Sequence, residues 1–85
     1  MPGKGTVAAF NQARGMVAIA TEDDGYTIIE LLSNWDIELG DAIVWADRYG
    51  LGSEVYENLT KQTREQVYVQ NHSVSKANLR QQLLL

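Results

Sequence analysis

The sequence predicts a mainly β domain in which five antiparallel strands close into a small barrel, followed by a short C-terminal helix. Turn-forming residues punctuate the chain about every eight to twelve residues, which is typical of short antiparallel strands. The segments between these turns are rich in apolar and β-branched residues, which favour strands. Good helix formers gather near the end of the sequence. A chain of 85 residues buries one core, so these elements form one domain.

Four strands are bounded by clear turn signals, and the fifth is predicted in two pieces. Asp24-Gly25 is the signal of a tight hairpin between the second and third strands. Residues 33–41 are predicted to form a loop that holds Trp35, and residues 48–53 form an exposed loop. The predicted strands cover residues 6–10, 16–21, 26–32 and 42–46, with the split fifth strand at 55–56 and 66–70.

The C-terminal segment differs in kind from the barrel. We assign residues 1–72 to the barrel and residues 73–85 to a helix that belongs to the same domain or to an interface. Three leucines at the end of the sequence are unfavourable to leave in water. The candidate partner-binding residues of this helix are Leu79, Leu83 and Leu84, of which Leu79 and Leu83 share a face at a spacing of four.

The second strand is apolar without interruption over residues 16–20. A strand that is apolar on both sides is usually covered on both sides, so the face outside the barrel needs a cover. Small side chains at Ala9, Ala18 and Ala20 allow another element to approach closely. The candidates are the terminal helix, a second copy of the chain and a different protein. Our hypothesis is that the helix around residues 77–84 packs on or near this face, or swaps onto a neighbour.

Composition excludes several chemistries and disfavours others. The chain has no cysteine and one histidine, His72, so a disulfide, a thiolate metal site and a cysteine nucleophile are excluded. No apolar run has the length of a membrane span. The net charge of −4 disfavours non-specific phosphate binding. We therefore expect a cytoplasmic, non-enzymatic protein with no cofactor, no metal and no membrane partner, and we interpret Asp36, Glu38 and Asp41 as solvated loop residues rather than an acid–base pair.

Two tryptophans and an acidic run are open to a structural and a functional interpretation. Trp35 can close the barrel end or stack a ligand, and Trp45 is expected in the core because a tryptophan removes a large area from water. The run at 22–24 is interpreted as a solvated hairpin turn, with a hard-cation site as the alternative. His72 is expected in a loop near the start of the helix.

The first half of the chain resembles the cold-shock domain, a five-stranded barrel of the OB type that binds single-stranded RNA and DNA. The resemblance covers residues 3–46 and rests on four segments. These are GTVAAFN at 5–11, RGMVAI at 14–19, DGYTIIEL at 24–31 and LGDAIV at 39–44. By this resemblance, single-stranded nucleic acid would lie across the face of the first three strands.

Most of the aromatic rings on which that family stacks bases are replaced in this chain. Aromatic stacking contributes about 1–3 kcal/mol per base, so their replacement weakens the expectation. Glu30 also repels a phosphodiester backbone, while Phe10 keeps its ring. The candidate ligand-binding residues are Lys4, Phe10, Arg14, Met16, Ala18, Tyr26, Ile28 and Glu30.

Three classes of function follow. We favour a non-catalytic binding module that acts through protein–protein contact or self-association, using the aliphatic outer strand face and the C-terminal helix. The alternative is binding of single-stranded RNA or DNA on the face of the first three strands. A small-molecule or carbohydrate site on the barrel is the third class, and no residue of the sequence indicates it.

Overall fold

The computed structural model describes residues 1–22 and 25–85 and contains a closed antiparallel barrel. The strand order around the barrel is β1-β2-β3-β6-β5-β4, and β1 pairs with β4 to close it. The mainly β class is confirmed, but the prediction of five strands is wrong, because six strands form the barrel. Asp23 and Asp24, with the predicted hairpin turn and its cation alternative, lie outside the described residues. The strands are β1 (Gly3–Asn11), β2 (Met16–Thr21), β3 (Tyr26–Leu31), β4 (Ala42–Trp45), β5 (Gly52–Asn58) and β6 (Thr63–Val74).

The sixth strand arises because both pieces of the predicted fifth strand are full strands. β5 and β6 pair in register from Gly52 opposite Val69 to Asn58 opposite Thr63. Few apolar residues mark β5, since Tyr56 is buried while Val55 is half exposed. Its pairing partners therefore define β5 more than its own hydrophobic pattern does.

Inward-facing side chains of every strand fill the barrel. Trp45 stacks on Tyr56 with ring centroids 4.5 Å apart and planes within 1° of parallel, so the core interpretation of Trp45 is confirmed. The Trp45 indole lies so close to β1 that a Cβ at Gly3 would overlap it. The buried interior residues are Val7, Val17, Ile19, Ile29, Trp35, Ile43, Trp45, Tyr56, Val67 and Val69.

A β-bulge in β1 changes which face its last residues occupy. Val7 pairs with Ile19, but Ala9 pairs with Ala18, so Ala8 is the extra residue. Beyond the bulge, Ala9 faces outward and Phe10 packs against the interior core.

The short C-terminal helix predicted from the sequence is present, but it begins later and is shorter than predicted. β6 runs through Val74, so His72 lies in a strand rather than in the predicted loop. Residues 73–74 also belong to this strand, so the helix does not cover the predicted range 73–85. A 3₁₀ turn (Lys76–Asn78) leads directly into one turn of α-helix, α1 (Leu79–Gln82). In the described part of the chain, no helix has the length and apolar character that a bilayer crossing requires.

Trp35 closes one end of the barrel. Its ring is buried in the interior core, and its Nε1 donates a hydrogen bond of 2.9 Å to Thr63 Oγ1. This confirms the structural interpretation of Trp35. We call this end, with the loops 12–15 and 32–41, the Trp35 end. The opposite end, where His72 contacts the loop between β4 and β5, is the His72 end.

The Trp35 contact gives a matched pair of variants. Thr63→Val removes the acceptor from the partly buried Trp35 indole N–H and is expected to lower the free energy of unfolding by about 0.5–1.5 kcal/mol. Thr63→Ser keeps the hydroxyl and should stay within about 0.5 kcal/mol of the wild type. Urea unfolding of the three proteins measures both values, and equal losses in the two variants would contradict the closure by Trp35.

Candidate functional site

The outer face of β1–β3 is covered by the C-terminal segment of the same chain. Leu83 is 1% exposed and packs on Met16, Ala18 and Ile28, with Val74 completing a second core outside the barrel. Ala9, Tyr26 and Leu79 pack around this cluster. The expectation that β2 is covered on both sides is therefore confirmed, and the covering element is the terminal segment.

Hydrogen bonds hold the end of this segment in place. Asn11 Nδ2 donates to the Leu83 carbonyl at 2.9 Å and more weakly to that of Leu84 at 3.4 Å. After α1, the Leu84 N–H donates to Gln81 O and the Leu85 N–H donates to Arg80 O. These two bonds form a Schellman motif, in which the residue at the turn is left-handed. That residue is Leu84, with φ of 62°.

A groove opens at the Trp35 end, between residues 10–17 and 31–37. It is open to solvent and has a volume of about 730 Å³. Its buried and half-buried lining is mostly apolar but includes Asn11, and exposed polar side chains from Gln12, Ser33 and Asn34 stand at its rim with Arg14 and Asp36. We call it the barrel-end groove. The apolar lining residues are Phe10, Met16, Val17, Leu31, Trp35 and Ile37.

Exposed leucines lie beside the barrel-end groove. Leu32 belongs to its lining and is 57% exposed. A neighbouring depression is lined by Leu84 together with Arg14 and Met16, which also line the groove. Leu84 and Leu85 are 56% and 62% exposed.

The predicted site residues separate into three groups. Phe10, Arg14 and Met16 meet in the barrel-end groove, and Glu30 and Leu84 lie in the adjoining depression. Ala18 and Ile28 are fully buried beneath the terminal segment, where Leu79 and Leu83 cover them and Tyr26 packs at the edge. Lys4 lies at the His72 end, away from the groove.

His72 uses both ring nitrogens at its end of the barrel. Nε2 lies 2.9 Å from the Gly50 carbonyl, so it carries the proton and donates. Nδ1 then accepts from the Thr27 hydroxyl at 2.9 Å. The ring also meets Tyr49 edge-on, with centroids 5.8 Å apart. His72 therefore anchors the loop between β4 and β5. The small cavity beside it encloses about 100 Å³.

A buried carboxylate organises the loop before β4. Asp41 accepts hydrogen bonds from Lys61 Nζ at 2.8 Å, Asn58 Nδ2 at 2.8 Å and the Glu38 N–H at 2.9 Å. The Lys61 ammonium and the Asn58 amide hold the pKa of Asp41 below its ordinary value. The interpretation of Asp41 as solvated is wrong, because the β5–β6 turn covers it. Glu38 stays largely exposed and bridges to Lys61 at 2.8 Å.

The groove carries two charged lining residues. Its charged lining residues, Arg14 and Asp36, stand at the rim. Within residues 1–22 and 25–85, no group of three or more histidine, aspartate or glutamate side chains is placed to hold a metal ion.

The sequence reasoning missed Leu31, Leu32 and Ile37 as lining residues of the groove. The sequence does contain a signal for Ile37, because Trp35 and Ile37 are apolar residues two positions apart inside the loop predicted at residues 33–41.

A comparison of the chain with protein-family models, with curated proteins and with solved structures gives no match in any of the three.

Proposed function

We propose that this chain is a non-catalytic protein-binding module that takes an apolar segment of a protein partner into the barrel-end groove. The proposal rests on a groove with an apolar floor and a polar rim that has exposed leucines in and beside it. Leu32 in the groove and Leu84 in the adjoining depression are each more than half exposed, as is Leu85, the next residue along the chain. Exposed apolar groups that gather beside a recess are typical of an interaction site.

The size and chemistry of the groove support a short peptide segment as ligand. A volume of about 730 Å³ lies within the range of sites that bury small ligands. Phe10, Leu31 and Ile37 pack on the interior core, which fixes the apolar floor before a ligand arrives. The exposed polar groups at the rim can bind the backbone amides of a peptide.

Two observations favour a protein over a nucleic acid as the partner. The strand face on which cold-shock domains bind is filled by Leu83 of the same chain. The groove itself has one basic side chain, Arg14, balanced by Asp36, and the whole chain has a net charge of −4. Under this proposal, the cold-shock resemblance of residues 3–46 reflects a related OB-type barrel architecture with a different ligand.

A peptide-display selection on the immobilised full chain tests the proposal. The expected result is enrichment of peptides with closely spaced apolar residues, whose binding barely changes with salt. Leu32→Asp, in the groove, should abolish binding. The matched control Leu51→Asp changes a leucine that is 60% exposed at the other end of the barrel and should bind normally. Equal binding to both variants, or salt-sensitive binding of single-stranded oligonucleotide without peptide binding, would contradict the proposal.

A further inference from the structure

We propose that the partner of the groove is a second copy of this chain, and that Leu84 and Leu85 of each copy enter the barrel-end groove of the other about a two-fold axis. This inference rests on the proposed function, because it names the occupant of the same groove. Three independent features of the described residues support it: the adjacency of recess and protrusion, the backbone of Leu84, and the distribution of charge.

The first feature is a self-complementary patch. A two-fold dimer uses the same patch on both copies, so that patch must hold a recess and the group that fills it. Here the two lie side by side, because Arg14 and Met16 line both the groove and the depression next to Leu84. A two-fold axis that passes between the groove and the depression therefore brings the leucines of each copy to the groove of the other.

The second feature is the left-handed backbone of Leu84. The turn position of a Schellman motif is usually glycine, because a side chain there is strained. Leu84 occupies it with φ of 62° while its side chain remains 56% exposed. Within one copy, the Leu84 side chain therefore makes few packing contacts that could offset the strain of its backbone. Burial in a second copy would give this side chain the packing that it lacks within one copy.

The third feature is the separation of charge between the terminal segment and the barrel. Residues 76–85 contain Lys76 and Arg80 and no acid, so the rest of the chain holds the whole acidic excess. Asp36 is exposed at the rim of the groove. The terminal segment therefore brings no acidic side chain to the groove of a second copy, which limits the repulsion between two chains that each carry a net charge of −4.

Sedimentation velocity over a concentration series of the full chain measures the association. The wild type is expected to show a reversible monomer–dimer equilibrium. Leu84→Gly should weaken the dimer by about a hundred-fold or more, since one buried leucine is lost from each of two symmetric contacts. The thermal midpoint of its monomer should be unchanged or higher, because glycine relieves the left-handed strain. The control Leu51→Asp should dimerise normally.

Mixing two variants distinguishes this geometry from other dimers. Leu84→Gly keeps the groove and Leu32→Asp keeps the terminal leucines, so their mixture can restore one of the two contacts. The expected result is a heterodimer that is tighter than either variant's homodimer and weaker than the wild type. A dimer that persists in both single variants would overturn the proposed geometry.

The two proposals fail separately. A wild type that stays monomeric at all concentrations, but still binds the selected peptides through Leu32, would overturn the second copy as partner and support the proposed function. A wild type that neither dimerises nor selects peptides would overturn both.

Discussion

Leu83→Ala is expected to lower the free energy of unfolding by about 2–5 kcal/mol, the usual cost of deleting a buried leucine side chain. Leu83 is 1% exposed and is the only residue after Val74 that is buried in the described chain. Its loss leaves a cavity over Met16, Ala18 and Ile28. Urea unfolding monitored by circular dichroism measures the change.

The control for Leu83→Ala is Leu39→Ala, because Leu39 is 64% exposed and should change stability by less than about 0.5 kcal/mol. A second measurement uses binding of an apolar dye. Release of the terminal segment uncovers the apolar face of β2 and β3, so dye binding by folded Leu83→Ala should rise. Equal stability of the two variants, with no added dye binding, would show that the terminal segment does not cover this face.

Asp41→Ala is expected to lower the free energy of unfolding by about 2–4 kcal/mol, because it leaves the buried Asn58 amide without its acceptor and the partly buried Lys61 ammonium without its partner. The Asn58 side chain is fully buried, and Asp41 accepts its amide hydrogen. Glu38→Ala is the matched control, since the Glu38 side chain is 72% exposed and its ion pair with Lys61 contributes little. Equal effects of the two substitutions in urea unfolding would contradict a structural role for Asp41.

The pH dependence of Asp41 gives a second test of the same network. The pKa of Asp41 is lower in the folded chain than its ordinary value of 3.8, so the unfolded chain takes up the proton first as the pH falls. The contribution of Asp41 is therefore complete above the unfolded pKa and is lost as the pH falls through the folded pKa. The stability difference between wild type and Asp41→Ala should shrink below pH 3.8. A difference that is constant with pH would contradict this assignment.

The β class and the covered second strand could be predicted because each depends on a local pattern. Turn residues at regular spacing indicate strands, and the apolar run at residues 16–20 indicates two covered faces. The burial of Trp45 and the closing role of Trp35 follow from their size. These features hold because a small domain buries its largest apolar groups wherever the topology places them.

The strand count, the length of the helix and the face of Phe10 depend on long-range pairing. β5 has little apolar signal of its own, and β6 extends to Val74 because it pairs with Tyr26 on β3. Because of that pairing, residues 73–74 belong to β6 and not to the predicted helix. The bulge at Ala8 turns Phe10 toward the interior, and no turn signal in the sequence marks this extra residue.

The candidate site could be predicted only in its parts. Phe10, Arg14 and Met16 were identified through the cold-shock resemblance, which places them on one strand face, yet they meet instead in a groove at the end of the barrel. The groove also needs the 32–41 loop, whose fold is set by Trp35 and Asp41 through contacts with the β5–β6 turn. Such contacts join residues far apart in sequence, so the sequence pattern does not show them.

A map of backbone amide chemical shifts in the ¹⁵N-labelled full chain over a dilution series shows whether the terminal leucines of one copy bind the groove of another. If the barrel-end groove binds the terminal leucines of a second copy, the amides of residues 11–16, 32–37 and 84–85 will shift with concentration. The amides of Leu51 and Val55, which are exposed away from the groove, will stay constant. Amide shifts of the groove residues and of residues 84–85 that do not change with concentration would show that the groove does not bind a second copy.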